Sequence, residues 1–423
     1  MSWISLAEIG AEGLFSDGDW VESKDQDPEG SVRLTQLADV GVGSFRDRSD
    51  RWMREDQASR LNCTFLEQGD VLIARMPDPI GRACLTPAGL GRAVTAVDVA
   101  VLRVNRDSFV PAYVSWMINA PQFHVRVEAL QSGTTRKRIS RKNLATLSIP
   151  RASLKAQRRI VEILEEHLSH LDAANAELAC AARRLDALWS ATLSGARAGD
   201  LIALPEIAEI QGGIQKQPKR APVSGHYPFL RVVNVTANGL DLDDVHRVEL
   251  FGDELNRLAL RKGDLLVVEG NGSPTQIGRA AMWDGSIADC VHQNHLIRVR
   301  PRTNVLPTYL EAVWNSPENR RTLMDVSSSS SGLHTLSVSK LKQLMIPIPD
   351  IKTQQAIVQR VRTVRSALDR ARGALLAADH RGSALRRAVL AAAFEGKLTG
   401  RHTDQEIIEE AAERGGTTER NSG

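Results

Sequence analysis

The sequence has few cysteines, and no pattern joins them. Its 423 residues contain four, Cys63, Cys84, Cys180 and Cys290, which lie far apart and form no Cys-x-x-Cys pair. This spacing argues against a disulfide framework and against a structural zinc site, and it fits a reducing cytoplasm. The sequence also lacks an apolar run long enough to cross a bilayer, and it does not begin with a signal peptide. We therefore expect a cytoplasmic protein without a membrane span.

Motifs for catalysis are also missing. No glycine-rich loop ends in Gly-Lys-Ser/Thr, and the glycine-rich segment 270–278 has no lysine to bind a triphosphate. The Asn/Asp-Pro-Pro-aromatic tetrad of adenine methyltransferases is absent, and no His, Asp or Glu cluster has the spacing of metal ligands. We predict no catalytic residue, no metal site and no cofactor bound by this chain, so any chemistry would come from partner proteins.

Charge gives little global guidance. The formal net charge is +3, from 54 basic and 51 acidic residues. This balance does not indicate a polycation, so a nucleic-acid surface would have to be local.

An internal repeat is the strongest positive signal in the sequence. Residues 144–201 return as residues 341–398 with a constant offset of 197 and no gap. Proline, glutamine, aspartate and glycine keep one register throughout, as in the pairs Ile149/Ile346, Pro150/Pro347, Lys155/Lys352, Gln157/Gln354, Ile160/Ile357, Asp172/Asp369, Leu193/Leu390 and Gly199/Gly396. A shared composition would not produce this agreement, so the chain contains a true duplication.

Each copy of the repeat predicts a long helix, over residues 153–195 and 351–398. Apolar residues alternate in steps of three and four, which is the pattern of a coiled-coil seam. Such helices, about 35 residues or roughly 50 Å long, need a partner along their length. We predict that they pair antiparallel, with Asn175, Gly382 and Leu385 on the seam. The principal seam residues are Val161, Leu164, Leu168, Leu171, Leu178, Ile357, Val361, Val364, Leu368 and Leu375. The alternative is two independent helices, each packed on its own domain.

The segments before the helices also repeat. We predict strands at 32–34, 70–74 and 100–104 and a helix at 111–119. Matching anchors pair 31–34 with 229–232, 68–73 with 262–267, 81–83 with 278–280, 110–113 with 306–309 and 119–121 with 315–317. The predicted fold is α+β, a pseudo-twofold tandem duplication. Two globular domains (1–152 and 196–350) alternate with the two helices, and a polar tail at 399–423 is predicted to be disordered.

The duplicated motifs resemble those of a known family. Residues 147–150 (LSIP) precede 155–161 (KAQRRIV), and residues 345–349 (MIPIP) precede 352–358 (KTQQAIV). The helix ends, 193–195 (LSG) and 394–399 (FEGKLT), complete the set. Over essentially its full length the chain resembles the specificity subunit of type I restriction–modification systems. Ala156 and Thr353 depart from the family, which more often has glutamate before this glutamine.

The resemblance implies a function in DNA recognition. Each globule would be a target-recognition domain that reads one half of a split double-stranded target. The helix pair would set the spacing of the halves and dock two methyltransferase subunits, with restriction subunits as further candidate partners. S-adenosylmethionine, ATP and Mg²⁺ would then belong to the partner subunits, and this chain would not be an enzyme.

Basic residues in turn-rich segments are the candidate DNA contacts, because arginine and lysine bind phosphates. In the first domain they are Lys24, Arg46, Arg48, Arg51, Arg75, Arg136, Lys137 and Arg138, and in the second Lys216, Lys219, Arg220, Asn271 and His334. Arg75 and Asn271 are the candidates for base contacts. We expect structural roles for Arg33 and Arg231, at matching positions, and for Arg82 and Arg279. The tryptophans at positions 3, 20, 52, 116, 283 and 314 are expected to anchor the core.

Two other functions remain open from the residues. A duplicated coiled-coil adaptor without DNA specificity would retain nucleic acid weakly and lose it at moderate salt. A nuclease would use the carboxylates near Glu22 and Lys24, which faintly resemble the end of a nuclease site, although those acids lie too close together along the chain.

Overall fold

The computed structural model describes residues 2–398, apart from 78, 134–135, 224–225, 237–238, 271–275 and 328–334. In the first half the strands are β1 (Ser2–Ser5), β2 (Leu14–Asp17), β3 (Val32–Thr35), β4 (Trp52–Met53), β5 (Val71–Ala74), β6 (Ala83–Leu85), β7 (Ala93–Thr95), β8 (Val99–Arg103) and β9 (Ser148–Arg151). The helices are α1 (Leu6–Ala11), α2 (Glu55–Arg60), α3 (Pro111–Ile118), α4 (Pro121–Leu130), α5 (Arg141–Thr146) and the long α6 (Leu154–Ser194).

The second half repeats this order. Its strands are β10 (Asp200–Ala203), β11 (Ala208–Gly212), β12 (His226–Leu230), β13 (Val235–Thr236), β14 (Gly239–Leu240), β15 (His246–Glu249), β16 (Leu265–Val268), β17 (Ala280–Met282), β18 (Val291–His292), β19 (Leu296–Pro301) and β20 (Met345–Ile348). Its helices are α7 (Leu204–Ile207), α8 (Glu254–Leu258), α9 (Pro307–Trp314), α10 (Pro317–Ser327), α11 (Val338–Leu341) and the long α12 (Ile351–Phe394).

The chain forms two compact units. The first contains residues 1–177 and 378–423, and the second contains residues 178–377. Each unit therefore holds one globule, part of α6 and part of α12.

The two globules share three sheets of the same topology, and the second has an additional two-stranded sheet of β13 and β14. In the first, β1 pairs with β9, a four-stranded antiparallel sheet has the order β2-β8-β5-β6, and a three-stranded sheet has the order β4-β3-β7. In the second, β10 pairs with β20, and the corresponding sheets are β11-β19-β16-β17 and β15-β12-β18. The central strands β5 and β16 are buried along their whole length, as expected for strands covered on both faces. The predicted α+β duplication is confirmed.

Within each unit the long helices run antiparallel. In the first unit Arg386 pairs with Asp172, and a Cβ atom on Gly382 would lie 3.4 Å from Asn175 Oδ1. In the second unit Arg372 Nη2 lies 2.8 Å from Asp186 Oδ1. The helices contain 41 and 44 residues and lie within the predicted ranges 153–195 and 351–398.

The helix seam also enters the globular cores. Val161, Leu164 and Leu168 are buried in a cluster that contains core residues of the first globule together with Leu390 and Phe394 of α12. In the second unit, Val358 joins the core of the second globule, and Ile357 and Val361 pack against it. The long helices therefore pair with each other, as predicted, and each also packs on a globule, so the alternative of two independent helices is wrong.

One predicted seam position is wrong. Leu385 is 53% exposed, whereas the neighbouring Arg386 turns toward α6 and pairs with Asp172. A straight helix has 3.6 residues per turn and drifts from a seam of strict 3.5-residue period, so the contact at this turn shifts from Leu385 to Arg386. The next predicted seam residue, Val389, packs against the first core.

Two buried glutamines fasten the long helices to the globules. Gln157 Oε1 accepts the N–H of Val110 at 2.8 Å, and its amide nitrogen donates to the carbonyls of Ser108 and Ala152. Gln354 makes the matching three bonds, with Leu306 N–H and the carbonyls of Asn304 and Pro349. The conspicuous repeated glutamine is thus a structural clamp in both halves.

Candidate nucleic-acid interface

A buried carboxylate shapes a loop of the first globule that contains three arginines, residues 41–51. Asp39 is fully buried, and its side chain accepts the N–H groups of Gln36, Arg48 and Ser49 at 2.6–2.7 Å. The Ser49 hydroxyl donates to the Leu34 carbonyl at 2.8 Å, which ties the loop to β3. The loop backbone is therefore fixed by internal bonds and does not depend on a ligand for its shape.

This loop presents three of the predicted DNA contacts to solvent. Arg46, Arg48 and Arg51 are all exposed. Asp47 between them has a φ of 48°, a left-handed conformation that aspartate tolerates better than most residues. Arg51 Nη1 donates to Gln26 Oε1 at 3.0 Å, while Nε lies 3.5 Å from Asp50. A fixed backbone with exposed guanidinium groups is suited to phosphate contact.

Lys24 and Trp20 lie on another exposed segment of the first globule. The Lys24 ammonium group is 2.6 Å from Glu22, and this carboxylate raises the pKa of the lysine. Trp20 is 70% exposed, so the expectation that it anchors the core is wrong. Its indole N–H is 3.4 Å from Glu22, and the ring faces water because β2 ends at Asp17 and the chain leaves the sheet before reaching it. Trp3 is also half-exposed, while Trp283 and Trp314 are buried as expected.

The basic run near the end of the first globule lies beside a β-bridge. Ser132 and Arg138 form this antiparallel bridge, and Arg136, Lys137 and Arg138 are exposed. The bridge is next to Arg75, because the Ile139 N–H donates to the Arg75 carbonyl at 3.0 Å.

Arg75 itself is bonded inside the domain. Its guanidinium group contacts Asp17 and donates to the carbonyls of Val97, at 3.0 Å, and Ile139, at 3.1 Å. Arg141 also bonds Asp17, at 3.1 Å. These bonds use the donors that a guanine contact would need, so the structure favours a structural role for Arg75 over the predicted base contact.

In the second globule, Lys216 and Lys219 are exposed but Arg220 is not. Arg220 bonds both carboxylate oxygens of Glu254, at 2.7 and 2.8 Å. The guanidinium group lowers the pKa of Glu254 to about 2. Arg220 thereby joins the 3₁₀ turn Pro218–Arg220 to α8. This bidentate, partly buried pair favours a structural role for Arg220.

The hydrogen bonds correct the predicted match of Arg33 with Arg231. Gln36 N–H donates to Asp39, and Arg231 N–H donates in the same way to Asn234. Arg231 is therefore the counterpart of Gln36, while Arg33 lies inside β3. Both arginines nevertheless bind their own globule, Arg33 through the Ser49 carbonyl and Arg231 through Asp244.

The loop of the second globule that corresponds to residues 41–51 has the opposite charge. Asn234 takes the place of Asp39, and its amide nitrogen donates to the carbonyls of Asp241 and Asp244 at 2.9 Å. The described part of this loop contains three aspartates, Asp241, Asp243 and Asp244. The two globules thus share a scaffold and present different surfaces.

Asn271 and His334, the remaining predicted contacts, lie outside the described residues. The same is true of the tail from residue 399 onward.

The carboxylates of the nuclease hypothesis do not converge. Asp17 bonds Arg75 and Arg141, Asp19 accepts the Thr64 N–H at 3.0 Å, and Glu22 pairs with Lys24. Across the described part of the chain, no group of three or more His, Cys, Asp or Glu residues could hold a metal ion. Nor does any described helix have the length and apolarity needed to span a bilayer.

Comparison with known proteins finds a family of similar sequences. Residues 200–376 match the type I restriction modification DNA specificity domain. The type I restriction enzyme EcoKI specificity subunit of Escherichia coli (strain K12) is 28% identical over 321 residues, covering 71% of this chain and 68% of that protein.

Solved structures show the same fold. A chain from a structure of a type I R-M system gives a TM-score of 0.73 at 17% identity, with 93% of this chain and 97% of that chain covered. The HsdS subunit from Thermoanaerobacter tengcongensis gives 0.51 at 16% identity, with 93% and 96% covered. The named relative is a specificity subunit, in agreement with the prediction that the chain is not itself an enzyme. The chain is similar in sequence to type I restriction–modification specificity subunits, and residues 200–376 match their DNA specificity domain.

Proposed function

We propose that the chain recognises a split DNA target, with one globule on each half, and that its helix pair sets the distance between the halves. The helix pair would also dock two methyltransferase subunits, and restriction subunits could join that complex. S-adenosylmethionine, ATP and Mg²⁺ would be bound by those partners.

The observation that carries this proposal is a shared scaffold with two different surfaces. Gln157 and Gln354 make the same three bonds, yet the loop held by Asp39 is basic and its counterpart held by Asn234 is acidic. Two copies of one scaffold with different surfaces can recognise two different sequences. An adaptor that used its duplication for one symmetric protein contact would have no need of this difference.

The length of the helices is compatible with a spacer. At about 1.5 Å per residue, the 41 residues of α6 extend roughly 60 Å. Half-sites on one face of B-DNA are about 34 Å apart for one helical turn. A rigid element of this length can therefore separate two recognition domains by one turn of DNA or more.

Exposed leucines on the long helices are the residues that we expect partner subunits to contact. Leu188, Leu376 and Leu385 are each more than half exposed. Because single exposed leucines are common on protein surfaces, their substitution, rather than their exposure, tests this expectation.

Single-molecule sequencing of modified bases in the host, with and without this chain, tests the proposal. We expect N6-methyladenine to be lost from one motif with two defined halves and a fixed undefined gap. If no modified motif changes while a methyltransferase subunit is present and active, the proposal is wrong. Capture of protein partners with no effect on methylation would then favour the adaptor.

A further inference from the structure

A cleft lined by arginines lies in the second compact unit, between the two long helices and the second globule. Its volume is about 520 Å³, within the range of roughly 300–1,000 Å³ typical of small-ligand sites. Its walls contain four arginines and two carboxylates, namely Arg279, Arg320, Arg365, Arg372, Glu311 and Asp369.

The arginines of this cleft differ in their surroundings: Arg372 Nη2 lies 2.8 Å from Asp186 Oδ1, and Arg320 Nη1 donates to the Ile277 carbonyl at 2.6 Å. Glu311 accepts the Met282 N–H at 3.0 Å, and burial raises the pKa of its carboxyl group. Burial also lowers the pKa of Arg279 and of Arg320, and the Arg279 guanidinium lowers that of Arg320 further. Two guanidinium groups that lose solvent and repel each other destabilise the unit, and a bound anion would relieve this effect.

The first globule provides an internal comparison. Arg82, the counterpart of Arg279, is buried, and its Nε donates to the Val40 carbonyl at 2.7 Å. Its Nη2 donates to Leu37, as Arg279 Nη2 donates to the corresponding Val232. Arg279 Nε, in contrast, is buried and has no hydrogen-bond partner among the described residues. Arg279 therefore makes the Nη2 bond that Arg82 makes and lacks the Nε bond.

The other arginines of the cleft have no arginine counterpart in the first half. By the matched anchors, Arg320 corresponds to His124, Arg365 to Leu168 and Arg372 to Asn175. Because the first half folds in the same way without them, the scaffold does not require this cluster. A feature found in one copy of a duplicated fold is a candidate for a function of that copy.

Part of the lining of the cleft is apolar. Trp189, Leu193, Val361 and Leu368 line it, and the Arg365 guanidinium lies 6.0 Å from the centre of a Trp189 ring. An indole ring beside cations fits a ligand with both a flat aromatic part and a negative group.

We propose that this cleft binds a nucleotide, with the phosphate group on Arg279 and Arg320 and the base on the Trp189 side. The phosphate group would accept charge-assisted bonds from the two guanidinium groups. The nucleotide is either free in solution or part of a DNA strand, and the two sources share this chemistry.

Calorimetric titration of the full-length chain at low ionic strength tests the site, with ATP, pyrophosphate, adenosine and a short DNA duplex as ligands. We expect ATP and pyrophosphate to bind and adenosine to bind far more weakly. Arg279→Gln combined with Arg320→Gln should weaken binding at least tenfold. Asp369→Asn should strengthen binding several-fold, because it removes an exposed negative charge from the cleft. Arg386→Gln, which removes an arginine in the other unit, should have no effect.

If the variant with both Arg279→Gln and Arg320→Gln folds poorly, the gain in affinity expected for Asp369→Asn still tests the site. Variant effects on ATP and pyrophosphate would support a free nucleotide, and effects confined to the duplex would support a nucleotide within DNA. If none of these ligands responds to either change, the proposed site is wrong.

Discussion

Gln354 illustrates what the residues shared by the two halves do. Its side chain is fully buried, accepts the N–H of Leu306, and donates to the carbonyls of Asn304 and Pro349. Tyr309 behaves similarly, since its hydroxyl donates to the Pro347 carbonyl at 2.8 Å, as Tyr113 does to Pro150. The strongest sequence repeats therefore mark scaffold bonds, and the recognition surface has to be sought among the residues that differ.

Replacing Gln354 with leucine should lower the free energy of unfolding by about 3 kcal/mol, because buried backbone groups lose their partner. The neighbouring Gln355 is exposed, so Gln355→Leu should change it by less than about 0.5 kcal/mol. Chemical denaturation measures the difference, and hydrogen exchange of the Leu306 amide locates it. Equal effects of the two substitutions would contradict the clamp.

His292 should make the second globule sensitive to mild acid. Burial lowers its pKa from 6.5 to about 4, with a further contribution from Arg298. Below pH 6.5 the unfolded chain binds a proton on this histidine that the folded chain does not bind until about pH 4. The free energy of unfolding should therefore fall through this window, by up to about 3 kcal/mol. The test is His292→Thr, which introduces the residue found at the matching strand position of the first half, Thr95. Between pH 7 and 4 this variant should lose less free energy of unfolding than the wild type. An equal loss in both proteins would refute this assignment.

Among the elements, the long helices were the most predictable and the loops the least. The predicted starts at 153 and 351 agree with the observed Leu154 and Ile351, because a seam of thirty or more residues is a strong periodic signal. The predicted strand at 70–74 and helix at 111–119 agree with β5 and α3 to within one residue.

Recognition loops could not be derived because tertiary hydrogen bonds determine them. Nothing in the sequence indicates that Asp39 orders residues 48 and 49, or that Arg75 turns inward onto Asp17. The alignment of Arg33 with Arg231 failed for the same reason, since the bonds of Gln36 and Arg231 define the true match. The sequence alone does not distinguish an arginine that faces solvent from one that is hydrogen-bonded inside its domain.

The basic loop should account for part of the salt dependence of DNA binding. Changing Arg46, Arg48 and Arg51 to glutamine should reduce the slope of log K against log salt by about 3, since each lost phosphate contact removes about 0.9. The same charge change at Arg360, Arg362 and Arg370, which are exposed on α12, is the control and should leave the slope nearly unchanged. Equal slopes in the two triple variants would exclude the loop from the interface.

In each globule a 3₁₀ turn, Ser23–Asp25 in the first and Pro218–Arg220 in the second, contacts a short helix. The pair of residues that makes the contact differs between the globules. In the first globule Gln57 of α2 donates to Asp25 at 2.6 Å, and in the second Arg220 bonds Glu254 of α8. Arg220→Asp alone should destabilise the second globule, because it places two carboxylates together.

Adding Glu254→Gln should restore much of that loss by recreating the pair of the first half. We expect a coupling energy of about 1–3 kcal/mol in a double-mutant cycle of unfolding. Additive effects would show that the two turns are not equivalent. The ion pair of the wild type should also weaken as pH falls from 4.5 toward 2, since the pKa of Glu254 is lowered to about 2.

At the scale of the whole molecule, duplication combined with divergence is the central feature. The sequence was sufficient to predict two globules and two long helices, because the repeat extends over both. It could not predict the charge difference between the corresponding loops or the arginine cleft of the second unit, since both depend on which side chains meet in space.

The most direct test of the proposed function changes the helices and leaves both globules intact. Seven residues would be inserted into α6 after Glu177 and seven into α12 after Ala377, at the boundaries of the compact units. Two helical turns add about 10 Å, or roughly three base pairs of DNA. Methylation would then be mapped by single-molecule sequencing in cells that supply the partner methyltransferase. We expect both halves of the modified motif to stay the same and the gap to lengthen by about three base pairs. Modification of an unchanged motif, or altered halves at the original gap, would contradict a helix pair that sets the spacing.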